Sequence, residues 1–248
     1  ALFFDLLLPL TFSLLFLPWG FLARVGLAVL FLLGLTGLIV TLSRGGMVAI
    51  GLALIWILYR QLRRRTGRVS ALAYVTLLMV LGGIALLSTD NPVSRRFFRH
   101  DYGTAYGRLP HMQVALELIR NYPLLGVGLN NYLEVAPQYD YTPQRIISQW
   151  QVPVHNLYLY ILGEIGLVGL LWVVLFWLAV LRALAPAWRA ADPFYFSVGG
   201  GLLAGLLAYF LHAQFDYGFW QHFTTLWFTL GLAVATGRLA RQEAVASP

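Results

Sequence analysis

Long apolar runs separated by short polar links dominate the chain. A helix needs about 17–25 mostly apolar residues to cross a bilayer. Seven runs come near that length: Leu2–Leu17, Phe21–Val40, Arg44–Tyr59, Ser70–Ser88, Asn156–Leu181, Phe194–His212 and Phe219–Gly237. They read as helices, because in hydrocarbon every backbone N–H and C=O must be bonded within its own segment. The second and third are joined only by Thr41, Leu42 and Ser43, and the seventh is weakened by His222 and several Thr. One long polar interruption runs from Thr89 to His155. Inside it Leu109, Met112, Leu116 and Ile119 recur at steps of three and four, which predicts an amphipathic helix over Thr104–Asn121, stopped by Pro123. A turn-rich stretch follows, Pro123 to Asn131, and then a second short helix over Leu133–Tyr139.

The predicted fold is therefore all-α, a polytopic transmembrane helical bundle of about seven spans with a long external loop containing amphipathic helices. Residues 1–88 hold the first four spans, 89–154 the external loop, and 155–248 the last three spans and a short cytoplasmic tail. Tyr139, Tyr141 and Trp150 return the loop to the membrane. Such aromatics usually form an interfacial belt, and stacking on a sugar is the other use open to them.

Composition agrees: of 248 residues, 59% are hydrophobic and only 11% charged. That excludes a disordered chain, a fibre and an ordinary soluble enzyme. With no Cys, disulfides and thiolate metal sites are ruled out. The +7 net charge comes from Arg alone, for the 17 Lys+Arg include no Lys. Arg24, Arg60, Arg63, Arg64, Arg65, Arg68, Arg182, Arg189, Arg238 and Arg241 all fall on one side of a seven-span chain. The positive-inside rule makes that side cytoplasmic and places the Thr89–His155 segment outside. The Arg60–Arg68 cluster then reads as a topology anchor rather than a nucleic-acid patch. His100, His111, His155, His212 and His222 fall on the outer half, which puts any chemistry there.

Three residues near that face can carry chemistry. Arg44 opens the third run, Arg108 the amphipathic helix, and His155 the fifth run. Guanidinium groups are always charged and bind phosphate through two parallel hydrogen bonds, and an imidazole can take a proton from a hydroxyl near neutral pH. Each has a plainer use: Arg44 as an interfacial snorkel, Arg108 as a solvated helix face, His155 as a helix cap. Other chemistries find less support. There is no Asp-x-Asp pair, no His-x-x-x-His zinc spacing and no Gly-x-Ser-x-Gly elbow, and Gly126-x-Gly128 lacks the strand–helix unit of a dinucleotide site. Glu164 and Asp216 are membrane-proximal acids. Glu164 stands nine residues after His155, half a helical turn out of phase, which suits helix packing better than contact with His155.

Thr41-Leu42-Ser43-Arg44-Gly45-Gly46, Gly107-Arg108, Asn121-Tyr122-Pro123-Leu124-Leu125-Gly126-Val127-Gly128-Leu129-Asn130-Asn131-Tyr132, His155-Asn156-Leu157-Tyr158-Leu159 and Gly163-Glu164-Ile165-Gly166-Leu167-Val168-Gly169 stand in that order along the chain. In order and spacing this set resembles the O-antigen ligase / O-antigen polymerase family of bacterial membrane glycosyltransferases, over about Ser43 to Leu181. The resemblance implies an all-helical fold of about ten to fourteen spans with a large periplasmic loop. About five further helices are therefore expected before residue 1. It implies transfer of glycan from an undecaprenyl-diphosphate carrier to a glycan, lipid A-core or protein acceptor, at the periplasmic face of the bacterial inner membrane, with no metal, cofactor or nucleic acid. It implies Arg44 and Arg108 as diphosphate-binding residues and His155 as the base. Met112 departs from relatives that carry an aromatic four residues after the loop Arg. Other relatives are proposed to take up bicarbonate, so the alternative is a non-catalytic membrane transporter. The first four runs offer almost no charge to line a path, and the polar residues gather at the outer face, which favours surface chemistry over conduction.

Overall fold

The structure is a computed structural model, and it describes residues 1–67, 93–95, 104–143, 145–216 and 223–246. The helices are α1 (Leu2–Leu14), α2 (Phe21–Val40), α3 (Arg44–Thr66), α4 (Thr104–Asn121), α5 (Tyr132–Val135), α6 (Ile146–Trp150), α7 (Leu157–Trp188), α8 (Pro193–His212) and α9 (Phe223–Ala246), with a 3-10 turn at Ala136–Tyr139. Among the described residues there is no strand. Four of these helices, α2, α3, α7 and α8, are long and apolar enough to cross a membrane. The first predicted run forms the shorter α1, the seventh forms α9, and the fourth, Ser70–Ser88, lies outside the described residues. The chain divides into two compact units: residues 1–100, 180–212 and 224–248 form the first, and residues 101–179 and 213–223 the second.

The first unit is built on close helix packing. α8 carries Gly199, Gly200, Gly201, Ala204, Gly205 and Ala208 along its length. Small residues let helix backbones approach, which is the main source of packing energy where lipid supplies no hydrophobic drive. A Cβ on Gly201 would lie 2.9 Å from the Leu10 Cα, and one on Gly205 would lie 3.1 Å from the carbonyl oxygens of Asp5 and Leu6. α1 therefore seats its backbone against α8. Polar latches fix the register: the Ser13 hydroxyl donates to the Ser197 carbonyl at 2.6 Å, and the Gln61 amide of α3 donates to the Ser197 hydroxyl at 3.0 Å. α2 is the opposite case. Phe21, Leu22, Leu33 and Val40 are each well over half exposed, as expected of a face turned to hydrocarbon.

Two members of the Arg60–Arg68 cluster have structural work. Arg60 donates to the Trp188 carbonyl and lies over the rings of Phe196, Trp56 and Trp188. Arg64 donates to the Ala190 and Ala191 carbonyls at 2.7 and 3.0 Å. Arg60 thus satisfies a carbonyl at the C-terminal end of α7, where a helix carries partial negative charge, and Arg64 satisfies carbonyls just beyond it.

The second unit packs Val114, Ala115 and Leu118 of α4 against Tyr132, Ala136, Ile147, Val154 and Tyr160. Its frame is an interlock between the turn-rich stretch and α7. The Val127 and Gly128 N–H groups donate to the Gly163 and Glu164 carbonyls at 2.9 and 2.8 Å. In return the Leu167 and Val168 N–H groups donate to the Pro123 and Leu124 carbonyls at 2.9 and 3.1 Å. The exchange requires a break in α7 at Gly166, which has φ +62° and ψ −167°. A Cβ there would fall 2.3 Å from the Leu124 carbonyl carbon, and one on Gly126 would fall 2.3 Å from that of Glu164. Both positions need glycine for approach and for positive φ. The buried Glu164 carboxylate closes the interlock by accepting from the Asn130 N–H (2.9 Å), the Tyr132 N–H (3.3 Å) and the Tyr160 hydroxyl (2.9 Å).

Candidate functional site

Within the second unit α4 presents Arg108 and His111, three residues apart, on one helix face. The Asp140 carboxylate anchors the segment that supplies Ile146 and Trp150. It is fully buried and accepts from the Thr142 N–H at 3.1 Å and the Ile147 N–H at 2.8 Å, and the Arg145 guanidinium donates to its backbone carbonyl at 2.9 Å. Arg145 turns with φ +47° and starts α6, which delivers Ile146 and Trp150. Asn156 completes the frame. Its carboxamide oxygen accepts the Tyr158 and Leu159 N–H groups at 3.0 Å each, capping α7, while its amide donates to the Gln214 carbonyl at 3.0 Å. The cap of α7 is therefore Asn156 rather than His155.

These walls enclose a cleft of about 410 Å3 lined by Gly107, Arg108, His111, Ile146, Trp150, Val152 and His155. That volume lies in the usual range for small-molecule sites. Arg108 and His155, singled out separately in the sequence, come together here. The His111 and His155 rings meet edge to face, with centroids 5.8 Å apart and planes at 75°. His155 is half-buried, and burial lowers its pKa below the ordinary imidazole value of 6.5. The Arg108 charge lowers it further, as does His111 when protonated, and Asp216 opposes them. The ring is therefore neutral at pH 7, the state in which an imidazole accepts a proton.

His111 drew no individual attention in the sequence. The available signal was its spacing of three from Arg108, which puts both on one face. Its Nδ1 donates to the Gly107 carbonyl at 3.0 Å, since a carbonyl oxygen can only accept. Its Nε2 is buried without a hydrogen-bond partner among the described residues.

Arg44 belongs to the first unit. It is half-buried at the N-terminal end of α3, directly after the N-cap Ser43, whose hydroxyl accepts the Gly46 N–H at 3.3 Å. A hydrogen-bonded chain continues from that cap. The Ser43 hydroxyl donates to His212 Nε2 at 3.0 Å, and His212 Nδ1 donates to the Asp5 carboxylate at 2.7 Å. His212 and Asp5 are 2% and 0% exposed. Asp5 corrects the expectation that the first spans bury almost no charge: α1 buries a carboxylate, and the imidazole of α8 makes that tolerable by donating to it. Gly46 permits the contact, for a Cβ there would lie 3.0 Å from His212 Cε1. Among the described residues no group of three His, Cys, Asp or Glu is arranged to hold a metal ion.

No curated protein matches the chain. The O-antigen ligase family matches residues 29–174, a stretch that contains Arg44, Arg108, His155 and Glu164. The match covers more than half of the 248 residues, and with four helices able to cross a bilayer the chain is a multi-pass membrane protein that belongs to the O-antigen ligase family.

Proposed function

We propose that the protein transfers glycan from an undecaprenyl-diphosphate carrier to an acceptor hydroxyl at the periplasmic face of the bacterial inner membrane, with inversion and without a metal. The observation that carries this reading is the cleft in which Arg108 and a neutral His155 stand together. Arg108 binds diphosphate oxygens and stabilises the charge that develops on them as the bond breaks. Arg44 is assigned a diphosphate contact too. It stands at the N-terminal end of α3, the positive end of the helix dipole, which attracts anions. His155 takes the proton of the acceptor hydroxyl while that oxygen attacks the anomeric carbon. The bond from that carbon to the diphosphate oxygen breaks, undecaprenyl diphosphate departs, and the proton passes from His155 to water.

The topology belongs to the same proposal: about seven spans, residues 89–154 outside, and Arg-rich links inside. Acceptors of the class are another carrier-linked glycan, lipid A-core or a protein. The test is a reconstituted assay with a labelled carrier-linked oligosaccharide and these acceptors, beside a bicarbonate-uptake assay on the same proteoliposomes. Labelled glycan on an acceptor is the expected result. Bicarbonate uptake with no transfer would replace this reading with the transporter.

A further inference from the structure

One residue lining the cleft has a polar atom that neither diphosphate binding nor proton removal uses. His111 is 7% exposed, and its Nε2 is buried without a hydrogen-bond partner among the described residues. The bond from Nδ1 to the Gly107 carbonyl fixes the ring and leaves Nε2 of the neutral imidazole as a lone-pair acceptor. A buried acceptor without a donor is costly, so its natural complement is a ligand group that carries a hydrogen. Position narrows the ligand. His111 follows Arg108 by three residues on α4, and side chains at that spacing are neighbours about 5–6 Å apart at Cβ. A group bound at His111 therefore adjoins a group bound at Arg108. On a lipid-linked glycan the diphosphate has two neighbours. The prenyl chain carries no donor, whereas the first sugar carries several hydroxyls. Trp150, 67% exposed at the cleft, offers the apolar ring face on which a sugar packs.

We infer that His111 and Trp150 form a subsite for the sugar attached directly to the carrier diphosphate, with His111 Nε2 accepting a hydrogen bond from that sugar. The inference rests on Arg108 binding the diphosphate, as argued above. His111 is thus a specificity-determining residue for the donor, distinct from the base His155.

The test compares two probes on the purified full chain in detergent: undecaprenyl diphosphate alone, and undecaprenyl-diphosphate-linked N-acetylglucosamine. Two near-isosteric variants separate the ring nitrogens. In His111→Asn the amide nitrogen replaces Nδ1 and keeps the Gly107 bond but reaches no further. In His111→Gln the amide oxygen replaces Nε2 as acceptor. The native chain is expected to bind the sugar-bearing carrier about tenfold more tightly than the bare one. His111→Asn should lose that preference with bare-carrier affinity unchanged, and His111→Gln should keep it. Native protein that binds both carriers equally, or a preference that survives in His111→Asn, overturns the sugar subsite and leaves diphosphate binding standing. Native protein that binds neither carrier overturns the subsite together with the donor reading on which it rests.

Discussion

His212 Nδ1 donates to the Asp5 carboxylate at 2.7 Å across 207 residues of sequence, and the pair ties α8 to α1 next to the helix end that carries Arg44. Removing Asp5 leaves the buried His212 Nδ1–H without its acceptor, at a cost of about 1–3 kcal/mol. Asp5→Ala is therefore expected to lower stability more than Ser43→Ala, which removes an N-cap and costs about 1 kcal/mol. Thermal denaturation of the two variants in detergent gives the order, and a larger loss for Ser43→Ala would contradict the proposed hierarchy.

Gly166→Ala meets two obstacles. The backbone at φ +62°, ψ −167° is a conformation nearly restricted to glycine, and the new Cβ would sit 2.3 Å from the Leu124 carbonyl carbon. The expected outcome is loss of the interlock between α7 and residues 123–128, at a cost above about 3 kcal/mol. Gly231→Ala in α9, where a Cβ meets nothing within 4 Å, is the control and should leave stability unchanged or raise it by up to about 1 kcal/mol. Equal melting temperatures for the two variants would refute the interlock.

Glu164→Ala takes the acceptor from the Asn130 N–H, the Tyr132 N–H and the Tyr160 hydroxyl at once. Each buried donor left unpaired costs about 1–3 kcal/mol. Amide hydrogen exchange at Asn130 and Tyr132 should accelerate by at least tenfold. Unchanged exchange there would show that Glu164 does not hold this turn.

Much of the fold was legible in the sequence because its signals are local. Hydropathy marks α2 at Phe21–Val40, and the three–four spacing marks α4 at Thr104–Asn121, both as found. The second loop helix is found as α5 followed by a 3-10 turn, since Pro137 cannot donate the bond that would continue an α-helix. The fifth run extends to Trp188 but breaks at Gly166, and nothing near Gly166 announces the break; its cause is the partner segment 123–128. Long-range pairing also explains the other omissions. Asp5 and His212 gain meaning only from each other, and His111 only from the cleft that Asp140 and Arg145 help to build. Arg108 and His155 were singled out for their residue chemistry and the family resemblance, and their shared cleft was not legible.

The acid limb of the pH–rate profile should report His155. Its pKa is lowered by burial, by Arg108 and by His111, and raised by Asp216, so the midpoint of the limb is expected below 6.5. Transfer should fall as pH drops through that midpoint, because protonated His155 cannot act as a base. In kcat/KM, which reports the free protein, Arg108→Gln removes a lowering influence and should move the midpoint up, whereas Asp216→Asn should move it down. A midpoint above 6.5 in the native protein, or the same direction of shift in both variants, would contradict the assignment.

The most direct measurement is single-turnover transfer by His155→Ala, with a labelled undecaprenyl-diphosphate-linked glycan prebound to the purified protein. If His155 is the base, the variant binds the carrier with native affinity and keeps its native melting temperature, but its transfer rate falls by at least about a hundredfold. Transfer at the native rate by a folded, carrier-bound His155→Ala protein would contradict it.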